Sequence, residues 1–351
     1  MVRIISPLAD SRWDSFLYSH PYGSVYQTSA WLRVMATTYR QADPLCFIQE
    51  SSSSAILCAL PCCAIKSKIS GNRLISLPFS SYSDPLTSTA DDFRHLLDAV
   101  ANDITHSSYR YFELRQFLNP APSNEKRLIN HSYQKIHILD IGPGFNHIKK
   151  HFHKDCVVRS VRKAEKAKLV VEECQSKDDL KAFYDVHAIT RKRLGLFIQP
   201  YAFFENMWEI MRENDLITIL LCKHDRKIIA GIILFKYKDT VSFEHGASLP
   251  DYWPMRPNHL LMWRSIELAC SGGYRYFDFG KTEKDNIGLL QYKSRWGAAM
   301  FDVSYLYYPD NRSLPTGRHQ GIKGKLVRLI AEKSPMPIAK LLGRLGYKYL
   351  V

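Results

Sequence analysis

Apolar positions along this chain recur with two periods, near two in short runs and near three and a half in longer ones. The second half reads most easily. A strand opens at Val170-Val171, and residues 178–192 place Leu180, Phe183, Tyr184 and His187 on one side of a predicted helix. A further helix is expected over 201–212, then strand-like runs at 217–222, 228–237 and 241–247, parted by the polar turns 224–227 and 238–239. A loop with two prolines leads to a helix over 258–270 that Gly272-Gly273 terminates. A strand at 274–279, a helix near 286–295 and a strand near 301–307 complete the order β-α-α-β-β-β-α-β-α-β. The first half follows it: a strand at Ile4-Ile5, helices at 10–18 and 28–36, strands at 44–48, 55–65 and 74–77, a helix at 91–104, a strand at 109–114, a helix near 123–130 and a strand at 135–139.

One motif makes the repetition explicit. Tyr274-Arg275-Tyr276-Phe277-Asp278 and Tyr109-Arg110-Tyr111-Phe112-Glu113 share four letters and then a carboxylate, 274 − 109 = 165 residues apart, about one domain length. Each follows a helical segment with the same triplet, His95-Leu96-Leu97 and His259-Leu260-Leu261. The expected organisation is a duplicated α+β (mixed α/β) fold: residues 1–145, residues 146–308, and a helical tail over 309–351. Gly142-Pro143-Gly144 opens the join.

Composition narrows the class. A chain of 351 residues that is 46% hydrophobic, with 17 glycines and 17 prolines, can bury two cores and has no disordered or disulfide-scaffold signature. The longest apolar stretch, 228–235, is far too short to span a bilayer, and no signal-peptide run opens the chain, so a cytoplasmic protein with reduced cysteines is expected. Cys58, Cys62 and Cys63 lie in an apolar strand without metal-site spacing, and His151-Phe152-His153 with Cys156 lacks a second half, so no metal is expected.

The net charge of +14 sits in two places. Residues 146–169 hold eight Lys/Arg against Asp155 and Glu165, and residues 311–351 hold nine against Glu332. In the first, residues 149–168 fit a helix on which Arg159, Arg162, Lys163 and Lys166 form a cationic stripe, read either as a solvated face or as a phosphate-binding surface. Nothing has the spacing of a base-reading module, so no DNA partner is expected. The tail places Leu326, Leu329 and Ile330, then Ile338, Leu341, Leu342 and Leu345, at helical spacing among cations. It either packs back on the body or lies on a membrane surface.

Two residues after the second repeat suggest chemistry. Asp278 is an acidic side chain inside an apolar strand, a costly placement unless it is paired or at a site. Lys293, in the run Gly288–Gly297, is a cation placed to stabilise the negative oxygen that develops in acyl transfer, or else a solvated helix cation beside Arg295. The first copy runs instead into Gln116-Phe117-Leu118-Asn119-Pro120. A lone Asp-Phe-Gly does not make a protein kinase, because the other kinase motifs are missing.

The element order, with Arg159–Lys166, Asp278-Phe279-Gly280-Lys281-Thr282, Gly288-Leu289-Leu290-Gln291-Tyr292-Lys293 and the first-half stretch Gly71–Ser80, resembles the FemAB-type tandem GNAT acyltransferases over about residues 1–308. The resemblance implies two GNAT-like halves, each a mixed sheet flanked by helices. The second would be catalytic and the first acceptor-shaping. Asp278 stands as a second catalytic candidate, and Arg159, Arg162, Lys163, His245, Arg256, Asn258, Lys281 and Tyr292 as substrate-binding candidates; the resemblance itself associates Lys293 with the active site. It implies no tightly bound cofactor, with aminoacyl-tRNA or acyl-CoA as donor co-substrate. A small-molecule or lipid-linked amine on a cell-envelope or polysaccharide precursor would be the acceptor; the tail is less constrained by the resemblance and, in its membrane reading, would touch the inner membrane face. GNAT enzymes cradle CoA phosphates with a glycine-bearing loop at a helix start; this chain has Arg256-Pro257-Asn258 there, with Asn258 as the expected N-cap, and the missing glycines weaken an acyl-CoA donor and leave room for aminoacyl-tRNA.

Overall fold

The structure, a computed structural model, describes residues 2–67, 71–130, 134–309 and 331–350. Among the described residues, those in 1–134 and 302–309 form one compact unit, and those in 135–301 and 331–347 form another.

The first unit holds β1 (Val2–Ile5), α1 (Trp13–Ser19), α2 (Ser29–Thr38), β2 (Ala42–Glu50), β3 (Ile56–Ile65), β4 (Asn72–Ile75), α3 (Ala90–His106), β5 (Tyr109–Gln116) and β6 (Ile129–Asn130). The second begins with β7 (Gln134–Asp140), α4 (Phe145–Ile148), α5 (Arg159–Lys166), β8 (Val170–Glu173), α6 (Lys177–Arg193) and α7 (Tyr201–Glu213). It continues with β9 (Ile217–His224), β10 (Lys227–Tyr237), β11 (Thr240–Ser248), α8 (Pro257–Ser271), β12 (Tyr276–Glu283) and α9 (Ile287–Ser294). Then come β13 (Ala299–Tyr308), whose later residues belong to the first unit, and the C-terminal helix α10 (Met336–Leu350).

The repeat in the sequence is a repeat in topology. Strands run β1-β2-β3-β4-β5-β13 in the first unit and β8-β9-β10-β11-β12-β7 in the second. In each, the strand carrying the repeated motif pairs in parallel with the strand before it: β5 with β4, and β12 with β11. Such a pair needs a crossover, and α3 and α8 supply it. Their sequences explain the starts. The Thr89 side chain accepts from Asp92 N–H to cap α3, and Pro257 occupies the first turn of α8, where its missing N–H costs nothing. The inward stripe of α3 is Phe93, Leu96, Leu97, Val100 and Ile104, packed on Leu74, Phe112 and Leu114. In the second unit Leu260, Leu261 and Ile266 of α8 and Val161 and Ala164 of α5 cover Ile232, Val241, Phe277 and Phe279.

Two expectations are corrected. The helix predicted near 123–130 does not form. Arg127 turns back on Glu125 at 2.7 Å, and only the two-residue strand β6 follows. The basic stretch 149–168 is not one helix either. It is a 3-10 turn (Lys149–His151), a π-type turn (Lys154–Val158) and then α5, broken because buried Phe152 is extended and His153 Nδ1 accepts from Cys156 N–H. All eight cysteines are free, with Cys58, Cys62 and Cys63 buried. No helix among the described residues is long and apolar enough to cross a membrane.

Close packing of α6 on the sheet rests on Gly231, where a Cβ would lie 2.5 Å from the ring of Phe183. Gly231→Ala is expected to lower stability by about 1–3 kcal/mol, read as a shift in the urea midpoint. An unchanged midpoint would mean that Phe183 does not sit over this glycine.

Candidate active site

The parallel pairing of β11 with β12 stops early. Its register runs Thr240↔Tyr276, Val241↔Phe277 and Ser242↔Asp278, although both strands continue, to Ser248 and Glu283. A bulge helps part them: opposite Ile233 and Leu234 of β10 stand His245 and Phe243, so Glu244 is the extra residue. Strand edges that diverge in this way offer backbone donors and acceptors to an extended ligand.

Asp278 sits at the fork and is fully buried. Its Oδ1 accepts from Gly280 N–H at 2.7 Å, while Oδ2 has no hydrogen-bond partner among the described residues. Gly280 makes this turn with φ +70°, and a Cβ there would come within 3.0 Å of Phe243 O. Burial raises the Asp278 carboxyl to about 6, against the lowering pull of Gly280 N–H and Lys293.

Lys293 approaches from α9. Asn286 caps this helix by accepting from Leu289 N–H, and Lys293 is its buried residue, 5% exposed. The ammonium donates to Gly280 O at 2.6 Å and to Lys281 O at 3.3 Å. A third N–H remains for a substrate oxygen. Burial lowers the Lys293 ammonium to about 8, and the Asp278 charge pulls the other way.

Three further buried polar side chains were not singled out as site candidates in the sequence. His137 on β7 is buried, its Nε2 lies 3.3 Å from Ser294 Oγ, and burial followed by the Lys293 charge draws it down to about 4. Thr282 is buried with no partner for its hydroxyl among the described residues. His187 of α6 bonds Gln199 Oε1 at 2.9 Å through Nε2 and faces His245 at 5.5 Å between ring centres. A histidine inside the apolar run 135–139, and another on the apolar side of the helix over 178–192, was the available signal.

The other predicted residues scatter. His245 lies where β11 has left its partner, its Nε2 without a hydrogen bond among the described residues and 4.0 Å from Glu244 Oε1, and burial holds it well below the ordinary imidazole range. Tyr292 packs its ring 5.2 Å from His259, and burial raises its hydroxyl. Lys281 contributes its carbonyl. Arg159, Arg162 and Lys163 lie exposed on α5, with Arg159 paired to Asp155, and no hydrogen bond or ion pair joins them to Asp278 or Lys293. At the start of α8 the cap is Arg256, in left-handed backbone at φ +66°, not Asn258; Asn258 Nδ2 instead donates to Ser248 Oγ at 3.1 Å. Pro257 has no N–H, and those of His259 and Leu260 already go to Arg256 O, so this helix start makes a poor phosphate cradle.

The first copy shows the contrast. Glu113 stands where Asp278 does, but Arg115, at the position of Gly280, grips it at 2.6 Å, both side chains buried. That carboxylate is already neutralised within its own strand.

Residues 154–294 match the acetyltransferase (GNAT) domain family. Over 95 residues the chain is 32% identical to the lipid II:glycine glycyltransferase of Staphylococcus haemolyticus (strain JCSC1435), a match spanning 25% of this chain and 22% of that enzyme. The crystal structure of FemX aligns with a TM-score of 0.68 at 16% identity, over 90% of this chain and 98% of FemX. A tandem GNAT protein from the clavulanic acid biosynthesis pathway aligns with a TM-score of 0.56 at 8% identity, over 89% and 100%. Fold and matched domain define the class, a tandem GNAT-fold acyltransferase. Within that class the chain is similar in fold to FemX.

Burial holds His187 neutral, drawing it from 6.5 down to about 3. The stability this confers is fully present above the unfolded-state value and is lost as pH falls below it, because the unfolded chain then binds a proton that the folded chain does not. His187→Gln is therefore expected to lose about 2 kcal/mol less than wild type on acidification from about pH 7 to about pH 5, measured by urea unfolding. Identical slopes would show that His187 is not held neutral.

Proposed function

We propose that this protein is an N-acyltransferase that moves an aminoacyl group from aminoacyl-tRNA to a primary amine on a lipid-linked cell-envelope precursor. The observation that carries the reading is the buried Asp278–Lys293 arrangement at the fork of β11 and β12. The neutral amine attacks the ester carbonyl, a C–N bond forms, and the C–O bond to the ribose breaks. Asp278 Oδ2 accepts the proton the amine sheds. The third Lys293 N–H stabilises the carbonyl oxygen as it gains charge. His245, on the stretch of β11 that has left its partner, helps orient the amine. The α5 cations Arg159, Arg162 and Lys163 contribute attraction for the phosphates of the donor.

Support for the donor comes from α8, whose start has few N–H groups to give a CoA pyrophosphate. Support for the acceptor class comes from the staphylococcal relative, named for glycyl transfer to lipid II. The first copy, its carboxylate locked by Arg115, is assigned a framing role for the acceptor. An acyl-CoA donor is the second reading, favoured only by the matched acetyltransferase domain. It predicts binding of CoA but not of charged tRNA.

Lys293→Ala is expected to lower kcat/KM by about 10²–10³ and Asp278→Asn by about 10²–10⁴, with circular dichroism unchanged. Transfer of labelled amino acid from charged tRNA to an envelope-precursor amine, followed by mass spectrometry, measures both. Wild-type rates in both variants would remove Asp278 and Lys293 from the chemistry, whereas no transfer by wild type would favour an inactive tandem pair serving as an adaptor in envelope synthesis. The rate should rise as Asp278 ionises near pH 6 and fall as Lys293 loses its proton near pH 8. Lys293→Arg should carry the alkaline limb upward, because a guanidinium stays charged. An alkaline limb that stays in place would remove Lys293 from the mechanism.

A further inference from the structure

Helix α10 has two faces of different character. One grips the second unit. Its Ala339 and Tyr347 are buried, Lys340 reaches Asp185 at 2.8 Å and lies over the Tyr184 ring at 5.0 Å, and the Tyr347 hydroxyl accepts from Arg191 at 2.6 Å. Gly343 and Gly346 bring the helix onto the loop after α6: a Cβ on Gly343 would overlap the Ile198 carbonyl, and one on Gly346 would come within 3.3 Å of Phe197. The same loop carries Gln199, which holds both His187 and Tyr184.

The other face is unpartnered among the described residues. Ile338, Leu341 and Leu345, at i, i+3 and i+7, are 49%, 54% and 48% exposed. Packing has already been satisfied on the opposite side, so this stripe is not a core face left over from a poor fit. Arg344 and Lys333 lie exposed nearby, and residues 311–351 carry nine Lys/Arg against one Glu.

We propose that α10 is an interfacial helix that seats the protein on an anionic bilayer surface, with Ile338, Leu341 and Leu345 entering the headgroup–acyl boundary and the flanking cations meeting lipid phosphates. The sign of the charge selects this occupant. A second copy of the chain would bring an equal excess of positive charge to the same stripe and be repelled. The inference rests on the lipid-linked acceptor proposed above and extends it: the helix that touches the membrane also clamps the loop that orders Gln199 and His187, so the acceptor's surroundings and the site share one element.

Co-sedimentation of the full chain with vesicles of phosphatidylcholine alone, and of phosphatidylcholine with an equal part of phosphatidylglycerol, tests this. Wild type should pellet with the anionic vesicles at low salt and be released by salt. The triple variant Ile338→Glu, Leu341→Glu, Leu345→Glu, checked for native circular dichroism, should partition at least about tenfold less. Failure of wild type to pellet, or an unchanged partition of the triple variant, would overturn the proposal. So would light scattering that finds wild type dimeric and the triple variant monomeric. Lys293→Ala should pellet like wild type whatever becomes of the proposed reaction, so the two readings fail separately.

Discussion

A carboxylate removed from water inside an apolar strand is the constraint around which the second unit is arranged. Asp278 lies between Phe277 and Phe279, both fully buried, and the cost of holding its charge there would push it to neutrality if nothing answered it. The answers are local. Gly280 turns its N–H back onto Oδ1, which only a residue free to take positive φ and lacking a Cβ can do against Phe243. The same turn presents the Gly280 carbonyl to Lys293. The lysine is thus fixed by backbone oxygens rather than by the carboxylate, and each partner keeps one atom uncommitted. An arrangement satisfied to that degree, and no further, stays available for a substrate.

The duplicated half makes the point by difference. Both copies keep a carboxylate after the same four residues, and both place it on a strand paired in parallel with its predecessor. One residue, two positions on, separates them. Arginine in the first copy closes the carboxylate into a buried ion pair, whereas glycine in the second leaves it open. Loss of an arginine and gain of a flexible turn is a short route between a structural carboxylate and a chemical one.

Much of this was legible in the sequence because it is local. The spacing of Phe93, Leu96, Leu97, Val100 and Ile104 announces α3, and the capping residues announce where helices begin. The odd placement of Asp278 and the cation at Lys293 were visible as departures from an otherwise apolar pattern. What was hidden depends on contacts far apart in the chain. His137 and Ser294 meet across 157 residues, and no periodicity reports that. Nor could spacing alone reveal that the extended Phe152-His153 pair would interrupt a basic helix, or that Arg256 in left-handed backbone would displace Asn258 as the cap of α8. In each case burial of a neighbour overrode local propensity.

The later residues of β13 bear on how the chain is made. Ser304–Tyr308 pair antiparallel with Gln116–Phe112 of β5 and so finish the sheet of the first unit. Synthesis delivers that strand only after residues 135–301 have left the ribosome. Until then β5 has a bare edge, open to pairing with whatever strand it meets. The amino-terminal copy cannot mature on its own schedule, and a chain cut at the apparent join would be born with an unsealed seam.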